Sequence, residues 1–219
     1  MKSTFFGLTT YEKSMQIQAQ VFNLVQSTGF PAVLGFEYYP VITLGKRASL
    51  EKDVDTSSRE QLKSKGFEVA ETDRGGQATI HSPGQLVIYP IVPIQKLQIP
   101  VRRFIEILEN STIHWLAKFK VSAYSRRDQE SGVFTEKGKI AFIGIRVEKG
   151  ITRHGISINL SNDLNLFSEI SACGMKGRAL DSLFENKIEV DLKEAFESWT
   201  LYFTSELMAS LKSESSTLN

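Results

Sequence analysis

The sequence of 219 residues predicts an α+β fold, in which long helices are mixed with hairpin-like strands in mixed or antiparallel sheets. Two observations carry this expectation. Three segments space their apolar side chains as helices do, and the segments between them are short apolar runs bounded by glycine, proline or asparagine. A third observation narrows the class, because no G-x-G-x-x-G or Walker loop supports a doubly wound nucleotide-binding sheet.

Each long predicted helix has a start signal. Thr9, with a glutamate three residues later, forms a capping box for the first helix, which we expect to end at Gly29. Pro100 begins the second helix, which runs to about Phe119. Asp191, again with a glutamate three residues later, caps the third helix.

Turn residues place the strands between these helices. Pro40 interrupts the first apolar run, and glycines at 138 and 150 mark two later turns. The runs on either side of Gly150 are expected to pair as antiparallel neighbours, because the connection between them is short. The predicted strands cover 32–39, 41–44, 67–70, 86–89, 133–135, 139–147 and 151–160, and a short helix is predicted over 57–65.

Composition and charge limit the class of protein. With 26 basic and 25 acidic residues, the net charge of +1 gives no electrostatic reason to expect nucleic acid or an anionic membrane as a partner. A single cysteine excludes an intrachain disulfide and a cysteine-rich zinc site. No apolar run approaches the roughly 18 residues that span a bilayer, and the N-terminal run is too short for a signal peptide. We therefore expect one cytoplasmic domain over 1–212 and a polar, disordered tail over 213–219.

One glycine-rich stretch, residues 74–90, combines an arginine and a histidine with two turns and a buried strand. Two glycines follow Arg74, and a Pro-Gly turn follows His81. Glycines let a ligand approach the backbone closely, so the stretch suits a substrate cradle. Composition equally allows two plain turns on either side of a strand, with Arg74 in a surface ion pair.

Other residues that could do chemistry have ordinary interpretations when each is taken singly. A lone cysteine such as Cys173 is usually a small buried hydrophobe. A lysine at the start of an apolar strand, such as Lys139, is more often a solvated strand end. His114 lies one position off the apolar stripe of the second helix and is interpreted as a surface or boundary residue, whereas Trp115 is interpreted as core.

Ordered segments of the chain resemble the signatures of the lipoyl/octanoyl transferases, which move octanoyl groups from acyl carrier protein to lipoyl domains. The Arg74 stretch resembles R-G-G-x-x-T-x-H-x-P-G-Q-L. Cys173 lies in a match to I-x-[PA]-C-G, 34 residues after a K-I-A-x-[IL]-G match that begins at Lys139. Residues 154–159 match H-G-x-[AS]-[LI]-N, and residues 40–46 match P-V-x-T-L-G-[RK]. Their shared order and spacing make these matches more specific together than singly.

The resemblance implies a fold, a reaction and a site. The fold is a catalytic domain like that of biotin and lipoate ligases. The reaction is octanoyl transfer, through a thioester on Cys173, to the target lysine of a lipoyl domain. Lys139 is implied to lower the pKa of that thiol or to act as a base. The implied substrate-binding residues, with His154 in support, are Arg74, Gly75, Gly76, Gln77, Ala78, Thr79, Ile80, His81, Phe142, Ile143, Gly144, Gly155, Ile156 and Ser157.

The resemblance also implies the partners. The donor is octanoyl-acyl carrier protein, and the acceptors are lipoyl domains of 2-oxoacid dehydrogenase E2 subunits and the glycine cleavage H protein. We expect no cofactor, no metal, no nucleic acid and no membrane partner, and a monomeric chain. Backbone N–H groups near Gly75-Gly76 or Gly144 are candidates to hold the developing oxyanion.

Three positions depart from the family pattern. Ile80 stands where the family usually has an aromatic residue, and Ser82 stands where it usually has glycine. Asp181 replaces a more usual threonine. The first two leave the pocket shape and the acyl preference open, but neither removes a group that the reaction requires.

Three other functions stay open at this point. An ATP-dependent lipoate or biotin ligase would need nucleotide and would not need Cys173. A non-catalytic module that binds lipoyl domains would keep its function without that cysteine. A cysteine hydrolase would use His81 or His154 as a base and would release free octanoate.

Overall fold

The computed structural model describes residues 1–48, 62–64, 66–126, 129–169 and 179–215. Most of the predicted helix at 57–65, Cys173 with its surrounding motif, and part of the predicted tail lie outside these ranges. Within them, helices flank two mixed sheets, so the predicted α+β class is confirmed.

Ten strands of the described residues form the two sheets: β1 (Lys2–Thr9), β2 (Ala32–Tyr38), β3 (Val41–Leu44), β4 (Glu68–Glu71), β5 (Ala78–His81), β6 (Gln85–Ile91), β7 (Tyr124–Arg126), β8 (Glu130–Phe134), β9 (Lys139–Glu148) and β10 (Ile151–Asn159). The large sheet has the order β1-β2-β6-β10-β9-β8-β7, and the small sheet has the order β4-β3-β5. β1 runs parallel to β2 and β4 runs parallel to β3, whereas the other neighbours are antiparallel. The predicted pairing of β9 with β10 is confirmed.

Three long helices in the described ranges pack on the sheets: α1 (Tyr11–Thr28), α2 (Val101–Ala117) and α3 (Leu192–Ser215). The Thr10 hydroxyl accepts the Lys13 N–H, so Thr10 rather than the predicted Thr9 caps α1. Thr9 instead ends β1, a strand that the sequence pattern did not predict. Gly29 ends α1 with φ of 74°, as expected. Asp191 Oδ1 accepts two backbone N–H groups in the first turn of α3, which confirms the predicted cap.

The apolar core has one layer on each face of the large sheet. α2 and α3 cover one face, where Trp115 is fully buried as predicted. α1 packs on the other face, against β2 and β6. The small sheet has its own cluster, and Phe142 of β9 joins it by stacking on Phe167. The two sheets are thus held against each other on the α1 side of the molecule.

Two sequence expectations concern the surface. His114 of α2 is exposed and pairs with Glu206 of α3, which confirms its interpretation as a surface residue. Across the described ranges, no helix has both the length and the apolar character that crossing a bilayer requires.

Candidate active site

A cavity of about 480 Å³ lies between the small sheet and the part of the large sheet formed by β6, β9 and β10. The cavity is lined by every described residue that the resemblance implied for catalysis or substrate binding, except Ile80. Segments that are far apart in the sequence, 74–81, 139–144 and 154–157, are therefore brought together. The lining also includes residues that the sequence did not single out, namely Tyr11, Thr43, Arg47, Val87, Tyr89, Gln129, Glu130 and Ser131.

Arg74 is buried beneath the loop that it begins. Its Nη2 donates to Thr43 O at 2.7 Å and to Thr43 Oγ1 at 2.9 Å, and its Nη1 donates to Gly75 O at 3.1 Å. The guanidinium thus fastens the loop to β3. Arg74 is not the surface residue that composition also allowed.

Glycines in this loop and opposite it let the loop backbone approach both sheets. Gly75 N–H donates to Ile145 O of β9 at 3.0 Å, so one candidate oxyanion donor already has a backbone acceptor. A Cβ on Gly144 would lie 2.9 Å from Gly75 O, and a Cβ on Gly45 would lie 2.5 Å from Gly76 O. These approaches are too close for a side chain, and they tie the small sheet to the large one.

Lys139 is buried at the start of β9 and is not a solvated strand end. Its side chain is 5% exposed, and its Nζ donates to Glu130 Oε1 at 2.6 Å and to Ser131 O at 3.1 Å. The side chain passes over Gly132, where a Cβ would lie 2.7 Å from Lys139 Cε. Lys139 and Glu130 thus form an ion pair at the wall of the cavity.

His81 ends a chain of buried side-chain amides. Its Nδ1 lies 2.6 Å from Gln85 Oε1, and Gln85 Nε2 donates to Asn159 Oδ1 at 2.9 Å. Asn159 Nδ2 in turn donates to Asp181 O at 3.0 Å. Burial lowers the pKa of His81 to about 4, so the ring is neutral at pH 7.

His154 is the second buried histidine of the wall, and its backbone has a positive φ of 58°. Its Nε2 lies 2.6 Å from Asp73 Oδ1, and its N–H donates to Gln18 Oε1 at 3.1 Å. Burial lowers the pKa of His154, whereas the hydrogen bond from His154 lowers the pKa of Asp73. A neutral ring that donates from Nε2 keeps a lone pair on Nδ1, which is buried without a hydrogen-bond partner among the described residues.

The three departures from the family pattern have different surroundings. Ile80 is fully buried in the apolar cluster of the small sheet and does not line the cavity. Ser82 Oγ is buried without a hydrogen-bond partner in the ranges described. The Asp181 carboxylate accepts from Asn186 Nδ2 at 2.9 Å, and its backbone N–H donates to Lys139 O at 3.0 Å. Asp181, which replaces a more usual threonine, therefore has hydrogen-bond partners for its carboxylate next to the start of β9.

Comparison with known proteins shows the family of this chain. The sequence model of the lipoyl protein ligase A/B catalytic domain matches residues 10–203. The chain belongs to that family. The octanoyltransferase of Maridesulfovibrio salexigens is 38% identical over 178 residues, which cover 81% of this chain and 82% of that protein. The octanoyltransferase of Dichelobacter nodosus is 36% identical over 169 residues, which cover 77% of this chain and 80% of that protein.

Solved structures share the fold of this lipoyl protein ligase A/B domain. A putative lipoate protein ligase from T. acidophilum with bound lipoic acid has a TM-score of 0.73 at 15% identity, over 95% of this chain and 87% of that chain. The biotin protein ligase from Aquifex aeolicus has a TM-score of 0.56 at 11% identity, over 97% of this chain and 71% of that chain. At such identities the likeness concerns the fold, and it confirms the expected catalytic domain like that of biotin and lipoate ligases.

Sequence reasoning missed residues of this lipoyl protein ligase A/B site that belong to no motif. Val87 and Tyr89 alternate along β6 with Leu86 and Ile88, which face the core on the other side of the sheet. This period-two alternation is visible in the sequence and could have found them. Glu130, by contrast, is marked by no local pattern.

Proposed function

We propose that this member of the lipoyl protein ligase A/B family is an octanoyltransferase. It takes an octanoyl group from acyl carrier protein, holds it as a thioester on Cys173, and passes it to the target lysine of a lipoyl domain. The observation that carries the proposal is the match, over 81% of the chain, to a relative named octanoyltransferase. The cavity supports it, because the cavity combines apolar walls with a buried ammonium.

Lys139 supplies the charge for the first step. A free thiol has a pKa of about 8.5, so little of it is thiolate at pH 7. An ammonium beside the sulfur favours the thiolate. Attack by that thiolate forms a new C–S bond to the octanoyl carbonyl and breaks the donor's C–S bond, and the donor leaves as a thiol. One thioester replaces another, so the step needs no ATP.

The second step gives the reaction its direction. The lysine amine of the acceptor attacks the octanoyl carbonyl, the C–N bond forms, and the C–S bond to Cys173 breaks. An amide is more stable than a thioester, so this step drives turnover. The proposed acceptors are lipoyl domains of E2 subunits and of the glycine cleavage H protein. A related structure from Thermoplasma acidophilum, described as a bipartite lipoate protein ligase and its E2 lipoyl domain, supports that class of acceptor.

The octanoyl tail is proposed to lie against the apolar side chains of the cavity lining, those of Ala78, Val87 and Phe142. Burying six methylenes and a methyl at about 0.8 kcal/mol each contributes roughly 6 kcal/mol to binding. One methylene then changes affinity only about fourfold. A sharp choice of chain length therefore requires a closed end to the cavity as well as apolar walls.

Intact-mass spectrometry without ATP tests the proposed function. The folded chain should gain one octanoyl group from octanoyl-acyl carrier protein and lose it to an added lipoyl domain, which gains the same mass. Cys173→Ala should gain nothing, and the surface variant His114→Gln should behave as the wild type does. Absence of the adduct on folded wild-type protein, or full transfer by Cys173→Ala, would overturn the proposal. A requirement for ATP would indicate a ligase instead, and release of free octanoate without an acceptor would indicate a hydrolase.

The charge on Lys139 has its own test. Lys139→Ala should slow formation of the adduct by about 25-fold at pH 7, which corresponds to a thiol pKa that returns from about 6.5 to the free value of about 8.5. The loss should be much smaller at pH 9.5, where the thiol ionises without help. Lys137→Ala, which removes an exposed lysine from the same hairpin, is the matched control. Equal slowing at both pH values would show that Lys139 does not act through the ionisation of the thiol.

A further inference from the structure

A second cavity, of about 310 Å³, adjoins the first one at Lys139. It is lined by residues of β7 and β8 and by the turn that leads into β9. Gln129, Glu130 and Lys139 line both cavities. The ion pair between Lys139 and Glu130 therefore lies where the two cavities meet.

Two aromatic rings place the Lys139 side chain between the cavities. Its Nζ lies 4.8 Å from the ring centroid of Phe142, which lines the first cavity and not the second. The same Nζ lies 5.3 Å from the ring centroid of Phe134, which lines the second cavity and not the first. A group bound beside this lysine therefore has access to both cavities.

Phe134 also contacts a second cation, Arg126. The Cζ of Arg126 lies 4.4 Å from the Phe134 ring centroid, and Lys139 Nζ lies 5.3 Å from the same point. The two cations cannot be farther apart than the sum of these distances, about 10 Å. Arg126 lines the second cavity and not the first, so this cavity has a further cation close to the lysine.

The Arg126 guanidinium is held by aromatic groups. Its Nη2 donates to Tyr124 OH at 3.1 Å, and its Cζ lies 5.6 Å from the Tyr124 ring centroid. Its contacts within the described ranges are to Tyr124 and Phe134, and they include no carboxylate. Lys137, a basic residue of the neighbouring turn, instead donates to Glu185 O at 2.5 Å. A guanidinium stacked on aromatic rings suits a phosphate, which it can bind through two parallel N–H groups.

The donor of the proposed reaction carries such an anion. A thioester has two halves that meet at its carbonyl group, and the octanoyl half is proposed to lie in the first cavity. The other half is the phosphopantetheine arm of the acyl carrier protein, which has amide groups along its length and a phosphate at its far end. The second cavity begins at Lys139, and its lining offers hydrogen-bonding groups such as those of Gln129 and Tyr124.

We propose that the second cavity binds the phosphopantetheine arm of the donor, and that Arg126 binds the phosphate of that arm. The proposal rests on the proposed octanoyl transfer, because it names the binding site of the donor in that reaction. Arg126 acts by binding alone, and no bond forms or breaks beside it. Its loss should therefore weaken the binding of the arm and leave the chemical step unchanged.

Isothermal titration calorimetry with 4′-phosphopantetheine and with pantetheine tests the phosphate contact without any acyl transfer. The wild type should bind phosphopantetheine about tenfold more tightly than pantetheine, which corresponds to about 1.4 kcal/mol. Arg126→Gln should bind the two compounds equally, with the wild-type affinity for pantetheine. Arg102→Gln, at an arginine of α2 whose side chain is 77% exposed, and Lys137→Ala should keep the preference. Equal affinities in the wild type would overturn the proposal.

The position of the arm has a separate test that does not depend on Arg126. Ala179 is exposed and lines the second cavity but not the first. Ala179→Trp should fill part of the second cavity and weaken the binding of both compounds at least tenfold. Ala209→Trp, the same substitution at an exposed alanine of α3, should change neither affinity. Wild-type affinities in Ala179→Trp would show that the arm lies elsewhere and would overturn the proposal.

Steady-state kinetics separate this proposal from the proposed function. With octanoyl-acyl carrier protein as donor, Arg126→Gln should raise KM about tenfold and keep nearly the wild-type kcat, because the phosphate contact is the same before and during the chemical step. Octanoyl-pantetheine, which lacks the phosphate, should react equally with both proteins. An unchanged KM for the donor, with slower transfer to the lipoyl domain, would assign Arg126 to the acceptor and overturn the proposal. Failure of the folded wild type to gain an octanoyl group would overturn the proposed function, whereas the preference for phosphopantetheine is measured without it.

Discussion

The wall of the cavity holds two buried neutral histidines, but the partners of the two rings differ. His81 donates to the uncharged amide of Gln85. His154 donates to the carboxylate of Asp73, which also pairs with two arginines at 2.7 and 3.0 Å. One ring ends a chain of neutral amides, and the other belongs to a charged network.

This difference separates a ring that can change its charge from one that is fixed in place. The amides beside His81 carry no charge that would be disturbed when a proton crosses its ring. His154 is held by the Asp73 carboxylate, and its backbone has φ of 58° and is bonded to Gln18. A side chain in the left-handed region persists where its surroundings over-determine it. His154 is therefore a rigid part of the cavity wall.

The largest effect is expected from a substitution at Gly132, which would displace the side chain of Lys139. A Cβ there would lie 2.7 Å from Lys139 Cε and 2.5 Å from Ala141 O, at a φ of +138°. Gly132→Ala must therefore move the lysine, and a displacement of about 1 Å can cost about 100-fold in rate. Formation of the octanoyl-enzyme at pH 7, measured by mass, should slow by at least that factor.

Gly7→Ala is the matched control for this substitution. Gly7 also has a positive φ, 68°, but a Cβ there would meet nothing within 4 Å. The control variant therefore carries backbone strain without moving the lysine, and it should keep nearly the wild-type rate. If both variants lose activity equally, backbone strain rather than the position of Lys139 is the cause.

The sequence was more informative about Lys139 and the Arg74 loop than about the charged network of Asp73, for a physical reason. Lys139 and the Arg74 loop lie in continuous motifs that a sequence displays directly. The partners that define their surroundings come from elsewhere in the chain. Asp73 and His154 are 81 residues apart, and their contact depends on how the two sheets meet. Local periodicity carries no information about such a contact.

Two local features also escaped the sequence pattern. β1 is an edge strand in which only Thr9 is buried, so no alternation of apolar and polar residues marks it. Ile80 lies in a strand of four residues, β5, which is too short for its alternation to show which face meets a cavity. Helix ends were predicted more closely, because a cap such as Asp191 depends only on residues that are adjacent in the sequence.

A second prediction compares the surroundings of the two histidines through the pH dependence of stability. Burial lowers the pKa of His81 to about 4, from about 6.5 in an unfolded chain. Between these values the unfolded chain binds a proton that the folded chain does not, so stability is full above pH 6.5 and falls as the pH drops toward 4. The loss between pH 7.5 and pH 5 is about 2 kcal/mol.

Urea denaturation of the wild type and His81→Gln measures this contribution. The substitution removes the titrating ring, so its destabilising effect should be about 2 kcal/mol smaller at pH 5 than at pH 7.5. His114→Gln removes a histidine from the surface and serves as the comparison. A destabilisation by His81→Gln that does not change with pH would show that the folded chain does not hold this ring neutral.

The smallest effect is expected from a substitution in the charged network of Asp73. The hydrogen bond from His154, together with the neighbouring arginines, lowers the pKa of Asp73. Its contribution to stability is therefore present above about pH 4, the unfolded value, and is lost as the pH falls through the lower folded value. Asp73→Asn keeps an oxygen for His154 Nε2–H but removes the charge. Because the Asp73 side chain is 32% exposed, the expected loss is about 1 kcal/mol at pH 7, and it should be smaller at pH 3.5.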